Sequence, residues 1–68
     1  MTDVARGIRQ IIREKGLKQY HVAEKARFST QQITDMLAGR KVIRAEYLPA
    51  IAEALEVTIQ DIFDASER

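Results

Sequence analysis

The chain has 68 residues, of which 46% are apolar and 31% charged, and it contains no cysteine. A chain of this length forms one domain that buries roughly 60% of its unfolded surface, and this composition is typical of a globular domain rather than a disordered tail. The lack of cysteine excludes a disulfide framework and a thiolate zinc site, so packed helices must supply the stability. No apolar run approaches the ~20 residues of a membrane span. The N-terminus carries no apolar signal-peptide core, and a cytoplasmic protein is expected.

The charged residues are distributed unevenly along the chain. Residues 1–44 hold ten basic residues against four acidic ones, whereas residues 45–68 hold one basic residue against six acidic ones. A basic half beside an acidic half favours one face for a polyanion and another face kept away from it. Chance placement of solvated charges is the alternative.

The first helix is predicted over residues 2–15, because apolar residues recur there at the spacing of one helix face. These residues are Val4, Ile8, Ile11 and Ile12. Thr2 and Asp3 fit a cap and a first-turn acid. Gly16 fits a left-handed residue that ends the helix.

Two short helices joined by a tight turn are predicted next, over residues 19–26 and 29–38. Ser29 caps the second of them, because Gln32 three residues later completes a capping box, and Gly39 ends it. The buried stripe of this helix is Ile33, Met36 and Leu37. Its exposed residues are Thr30, Gln31, Thr34 and Asp35. The pattern therefore predicts a polar helix face held out to solvent by an apolar one.

A basic loop, residues 40–44, follows the second of these helices. It carries two apolar residues that can pin it to the core, Val42 and Ile43. A fourth helix is predicted over residues 45–55, with regular helix starting near Tyr47, because Pro49 is tolerated only in a first turn.

A cap pair formed by Thr58 and Asp61 predicts a fifth helix over residues 59–64. Residues 65–68 are expected to fray. Because no alternating strand pattern competes, the predicted fold class is all-α, with five short helices around one core.

Several segments match a known family at the right spacing. Residues 17–23 read LKQYHVA, where the family pattern is Leu-Thr-Gln-x-x-Leu-Ala, and residues 52–57 read AEALEV, close to a later family segment. Ala23 and Ile33 fall on the small and the buried aliphatic positions of the motif, and Gly39 with the following Arg falls on its Gly-Lys. Over residues 8–63 the chain thus resembles the phage repressor and Cro family of helix-turn-helix proteins, also called the XRE family.

This resemblance implies a compact five-helix, lambda-repressor-like DNA-binding domain that occupies residues 1–68. Its helix-turn-helix would cover about residues 19–38, with the recognition helix at about 29–38. A recognition helix of this kind lies in the major groove of DNA.

Three departures from the family pattern bear on stability. Lys18 replaces the usual Thr or Ser cap, which costs about 1 kcal/mol. Arg27 replaces the usual Gly of the turn, and a left-handed conformation there would cost roughly 1–2 kcal/mol. Ile12 and Leu37 stand where some family members pair an Arg with a Glu, and apolar packing in place of such a pair is often neutral or stabilising.

Base readout is expected from the exposed face of the recognition helix. Gln31 is the first candidate, because a Gln amide can donate to and accept from adenine at once. Thr30 and Thr34 extend the surface. Asp35 can accept from cytosine N4, or it can pair locally with a neighbouring Arg or Lys. For Gln32, capping is favoured over base contact.

Phosphate contacts are expected on both sides of that helix, since such contacts dominate protein–DNA interfaces. The resemblance places one at the start of helix 2, and the basic loop supplies others, with an ordinary solvated loop as the alternative. The candidates are Gln19, Ser29, Gln32, Arg40, Lys41 and Arg44.

The predicted function is a sequence-specific transcriptional regulator of phage or bacterial type, a repressor in the leading interpretation, which binds a palindromic operator as a homodimer. Its dimer interface is expected at Val57, Ile59, Ile62 and Phe63, which the core can also claim. The alternative is an antitoxin-like or adaptor module that masks a partner protein. One His, no Cys and scattered acids offer no nucleophile–base pair and no metal site, so neither an enzyme nor a cofactor is expected.

Overall fold

The computed structural model describes residues 3–68 as five helices, with no strand in that range. The helices are α1 (Val4–Lys15), α2 (Gln19–Ala26), α3 (Thr30–Leu37), α4 (Leu48–Leu55) and α5 (Ile59–Ser66), and a 3-10 turn (Ala45–Tyr47) leads into α4. The predicted all-α fold class is confirmed. None of the helices within residues 3–68 is long and apolar enough to cross a membrane.

Side chains cap three of the five helices at their N-termini. Asp3, predicted as a first-turn acid, instead accepts from the Arg6 N–H at 3.1 Å and so caps α1; the predicted cap role of Thr2 lies outside the described residues. Ser29 and Thr58 cap α3 and α5 through complete capping boxes, as predicted. At the start of α2, Lys18 makes no side-chain cap bond, which agrees with its replacement of the family's Thr.

Helices α1, α2 and α4 end in the same motif. In each, a residue with positive φ follows the helix. The N–H of the residue after it donates to the carbonyl five residues earlier, so that a carbonyl of the last helical turn gains a hydrogen-bond partner. The three left-handed residues are Gly16 (φ 66°), Arg27 (φ 65°) and Glu56 (φ 60°). Gly16 was predicted and Arg27 was anticipated as a point of strain, whereas the turn at Glu56 was not foreseen.

The core lies between α1 and α5 on one side and α2, α3 and α4 on the other. The predicted apolar stripes fill it, and its most deeply buried large side chains are Ile8, Val22, Ile33, Ile51, Leu55 and Ile62. Gly7 allows α1 and α5 to approach closely: a Cβ there would overlap the Ile62 carbonyl oxygen and lie 3.0 Å from the Ser66 nitrogen. The sequence pattern alone did not indicate this contact.

The C-terminal end is more ordered than the prediction of fraying allowed, and that prediction is wrong for Ala65 and Ser66. Both residues belong to α5 and are buried, because the last turn of α5 packs against α1 at Gly7. Beyond them, the Arg68 guanidinium bonds Glu14 at 2.8 Å, and its carbonyl accepts from Arg6 at 2.6 Å.

The segment before α4 corrects a second prediction. Val42 does not pin the loop, because its side chain is 81% exposed, whereas Ile43 is half-buried against the core. Regular helix begins at Leu48 after the 3-10 turn, and Pro49 occupies its first turn as predicted.

Candidate nucleic-acid interface

Helix α3 presents a polar face to solvent because its other face is held in the core. Ile33, Met36 and Leu37 are buried. At about 100° per residue, positions 31 and 35 fall on the opposite side of the helix. Thr30 and Gln31 are exposed as expected, whereas Thr34 and Asp35, also expected to be exposed, are partly buried. The predicted readout residues therefore share one outward surface, with Thr30 and Thr34 beside Gln31 and Asp35.

The start of α3 is fixed by the predicted capping box. The Ser29 N–H donates to Gln32 Oε1 at 2.8 Å, and the Gln32 N–H donates to Ser29 Oγ at 3.0 Å. The amide oxygen of Gln32 is thus engaged with the backbone, which leaves its NH2 group as the outward polar end. Capping by Gln32 is confirmed.

Asp35 holds two neighbours with a single oxygen. Its Oδ1 accepts from Gln31 Nε2 at 2.9 Å and from Arg40 Nε at 2.9 Å. The Asp35 side chain is only 16% exposed, whereas that of Arg40 is 61% exposed. Local pairing, the alternative considered for Asp35, is therefore present in the structure.

The electrostatics of this group favour an ionised carboxylate. The hydrogen bond from Arg40 is the main influence that lowers the pKa of Asp35 below its ordinary value, against an opposing effect of desolvation. The Gln31 amide and the charges of Arg40 and Lys41 lower the pKa further. At neutral pH a negative charge therefore stands on the polar face of α3, with a guanidinium bonded to it.

The basic loop is tied to the end of α3 through the backbone as well. The N–H groups of Arg40 and Lys41 both donate to the Asp35 carbonyl, at 2.8 and 3.2 Å, around Gly39 with φ 83°. Arg40 and Lys41 are consequently exposed next to the polar face of α3. Arg44 lies further along the loop and bonds Glu46 at 2.8 Å with both side chains exposed, a type of pair that adds little stability.

Arg9 is a supporting residue that sequence reasoning missed. Its Nη1 donates to the Leu37 carbonyl, so that a side chain of α1 provides a hydrogen-bond partner for a carbonyl at the C-terminal end of α3. A cation at that end also suits the helix dipole. Ile12 and Leu37 are both buried in the core, which confirms that apolar packing occupies the two positions. An Arg at the edge of an apolar stripe is too common to have signalled this role.

The turn between α2 and α3 is closed by aromatic packing. Phe28 is half-buried and meets Tyr47 edge-on, with ring centroids 5.1 Å apart.

Gln19 is exposed at the first residue of α2. Next to it, Tyr20 and His21 stack with centroids 4.4 Å apart. Within residues 3–68, no group of three or more His, Cys, Asp or Glu residues is placed to hold a metal ion.

The four candidates for a dimer contact divide into two groups. Ile62 is completely buried in the core, so its side chain cannot reach a second chain, and its inclusion is corrected. Val57, Ile59 and Phe63 are half-buried, and Val57 and Ile59 pack partly against the core. The latter three remain available at the surface of the acidic half.

Comparison with known proteins identifies the family of the chain. Residues 7–67 match the family model of the Cro/C1-type HTH DNA-binding domain. No curated protein sequence matches the chain significantly.

Solved structures share the fold. The clp gene regulator ClgR from Corynebacterium glutamicum superposes with a TM-score of 0.86 at 23% identity, over 94% of this chain and 83% of that one. The restriction-modification controller protein C.AhdI from Aeromonas hydrophila gives a TM-score of 0.80 at 18% identity, over 88% of this chain and 91% of that one.

Proposed function

We propose that this chain, which belongs to the Cro/C1-type helix-turn-helix DNA-binding family, is a sequence-specific repressor that binds a palindromic operator as a homodimer. Its general class, a DNA-binding regulator of transcription, follows from the family. The observation that carries the proposal is the junction of the polar face of α3 with the exposed basic loop, which hydrogen bonds to the Asp35 carbonyl hold together.

In the proposed complex, the polar face of α3 enters the major groove. Gln31 reads a base with its amide, and Thr30 and Thr34 border the same surface. Lys41 and Arg40 lie against the phosphates beyond the end of α3, and Gln19 reaches the backbone from the start of α2, where the helix N-terminus favours an anion. Ser29 and Gln32 would approach phosphate with the outward atoms of the capping box.

The test is selection of bound sequences from a random duplex pool, followed by binding at several salt concentrations. Wild type should enrich two half-sites about one helical turn apart. Its affinity should fall with a log–log slope of about −0.9 per phosphate neutralised. A flat salt response would remove the DNA proposal and favour the protein-masking module instead.

Two variants distinguish base recognition from phosphate contact. Gln31→Ala should lose discrimination at one base position by roughly 1–3 kcal/mol. Lys41→Ala should weaken binding to all sequences alike and reduce the salt slope by about one. Lys15→Ala is the matched control, because it removes the same charge where the side chain reaches the Glu56 carbonyl, away from α3.

The proposed dimer uses the half-buried apolar residues of the acidic half: Val57, Ile59 and Phe63. Sedimentation equilibrium should give a dimer for wild type and a monomer for Ile59→Ser, with circular dichroism to verify folding. Val42→Ser is the control, since it removes an apolar side chain that is 81% exposed and lies in the basic loop rather than in the acidic half. A monomeric wild type at micromolar concentration would refute the dimer and leave the DNA proposal standing.

The proposal assigns the chain no catalytic activity and no cofactor. A regulator of bacterial or phage genes works where that DNA lies, and we therefore place it in the cytoplasm.

A further inference from the structure

We propose that Asp35 is a positioning residue for DNA recognition, whose Oδ1 sets the amide orientation of Gln31 and the guanidinium of Arg40 together. The inference rests on the proposed DNA-binding function and deepens it, because it states which base the site prefers and why. It gives Asp35 a different task from a direct contact with cytosine.

The geometry places one acceptor between two donors of different purpose. Gln31 and Asp35 stand one helical turn apart, the spacing at which side chains on a helix meet, and Arg40 arrives from the loop beyond Gly39. Both donor–acceptor distances to Oδ1 are 2.9 Å. With its side chain only 16% exposed, Asp35 is set back behind Gln31 and Arg40 rather than projecting beyond them.

The contact with Asp35 determines which end of the Gln31 amide faces outward. A free Gln can turn its amide by 180° and exchange donor for acceptor. An ionised carboxylate only accepts, so the turned amide would set Oε1 against Oδ1 and be disfavoured. Gln31 is thus held with its NH2 on Asp35 and its Oε1 free to accept.

A base preference follows from the remaining hydrogen-bonding capacity. With one N–H engaged, the Gln31 amide offers one donor and one acceptor, which match adenine N7 and N6. Guanine presents two acceptors, N7 and O6, and only one N–H remains to satisfy them. Asp35 therefore favours adenine over guanine opposite Gln31 by occupying one of its donors.

The hydrogen bond between Asp35 and Arg40 orients Arg40 for contact with the DNA phosphates. A guanidinium carries five N–H donors, and Asp35 occupies the one on Nε. The Nη groups of Arg40 stay available for phosphate, on a side chain that is 61% exposed. The same pairing balances the carboxylate charge, which would otherwise repel the DNA backbone.

The experiment measures base preference at every operator position for Gln31→Ala, Asp35→Ala, the double variant and Asp35→Asn, with melting temperatures to verify folding. Asp35→Ala should lower the adenine-over-guanine preference at the position read by Gln31 by on the order of tenfold. The double variant should show no loss at that position beyond Gln31→Ala alone. Asp35→Asn should keep the preference, because the Arg40 N–H favours the amide oxygen at this place, where it can accept the same two bonds. Its affinity for all sequences should rise, because a negative charge near the phosphates is removed.

Two other outcomes would overturn the inference. If Asp35 reads a base directly, Asp35→Asn will change the preferred base at a second position, and the two losses will add. If Asp35 serves only the fold, Asp35→Ala will lower the melting temperature without changing any base preference. Either result overturns the inference but keeps the proposed function, whereas a wild type that enriches no sequence overturns both.

A readout on the free protein makes the test independent of DNA. The side-chain amide resonances of Gln31 should shift as Asp35 titrates in acid, and this shift should vanish in Asp35→Ala. Gln60 is the internal control, since its amide donates to Asp64 at 3.0 Å in the same i, i+4 arrangement and should be unaffected by the substitution. A Gln31 amide that ignores the titration would overturn the inference.

Discussion

Replacing Arg27 by Gly should stabilise the protein, because the backbone there is left-handed. Arg27 has φ 65° and ψ 36°, and its N–H and that of Phe28 close the end of α2. A residue with a Cβ costs roughly 1–2 kcal/mol in this conformation. Glycine removes that cost, although its greater freedom in the unfolded chain returns about 0.5–1 kcal/mol of it. The expected net gain is about 0.5–1 kcal/mol relative to any residue with a Cβ.

Arg27→Ala is the matched control, because it removes the same side chain and charge but keeps the Cβ. Urea denaturation followed by circular dichroism should find the Gly variant more stable than the Ala variant by about 1 kcal/mol. In a domain of this size that difference corresponds to about 4–8 °C in melting temperature. Equal stability of the two variants would show that the turn carries no strain. Glu56→Gly and Glu56→Ala should repeat the pattern at φ 60°.

Substitutions at three further positions test other parts of the fold. Gly7→Ala should lower the free energy of unfolding in urea by about 1 kcal/mol, because the roughly 1–3 kcal/mol cost of overlap with the Ile62 carbonyl exceeds the ~1 kcal/mol gain in helix propensity. Unchanged stability would mean that α1 and α5 separate freely. Ser29→Ala should cost about 1 kcal/mol and Ser29→Gly only a few tenths, so equal losses would exclude the cap. The hydrogen bond from the Thr58 N–H lowers the pKa of Asp61 below its ordinary 3.8. The ionised Asp61 therefore stabilises the fold above pH 3.8, and this stabilisation disappears as the pH falls through the folded-state pKa. Asp61→Asn should lose less stability than wild type on acidification, and an identical acid profile would contradict this.

The helices and most of the core could be predicted because their signals are local. The stripe of Ile33, Met36 and Leu37 repeats at the helical period, and all three residues are buried. The capping box of Ser29 and Gln32 needs only residues three apart in the chain. Such local signals predict a helix and its cap without knowledge of the tertiary structure.

The missed features all depend on segments that are distant in sequence. Gly7 matters only because α5 crosses α1 there, and Ser66 is buried for the same reason. Arg9 bonds a carbonyl 28 residues away. Val42 and Ile43 are chemically alike, and only the path of the loop decides that one is exposed and the other half-buried. No periodicity within a single helix reports these relations.

The polar face of α3 shows why roles assigned one residue at a time are incomplete. As separate residues, Gln31 belongs to base readout and Arg40 to phosphate contact, two categories with different experimental signatures. In the structure both donate to one oxygen of Asp35. Removing Arg40 would therefore leave Asp35 without its counter-charge and alter the partner that orients Gln31, so that affinity and base preference change together. Lys41, attached to the same loop but without a part in that pair of bonds, is consequently the residue that measures phosphate contact alone.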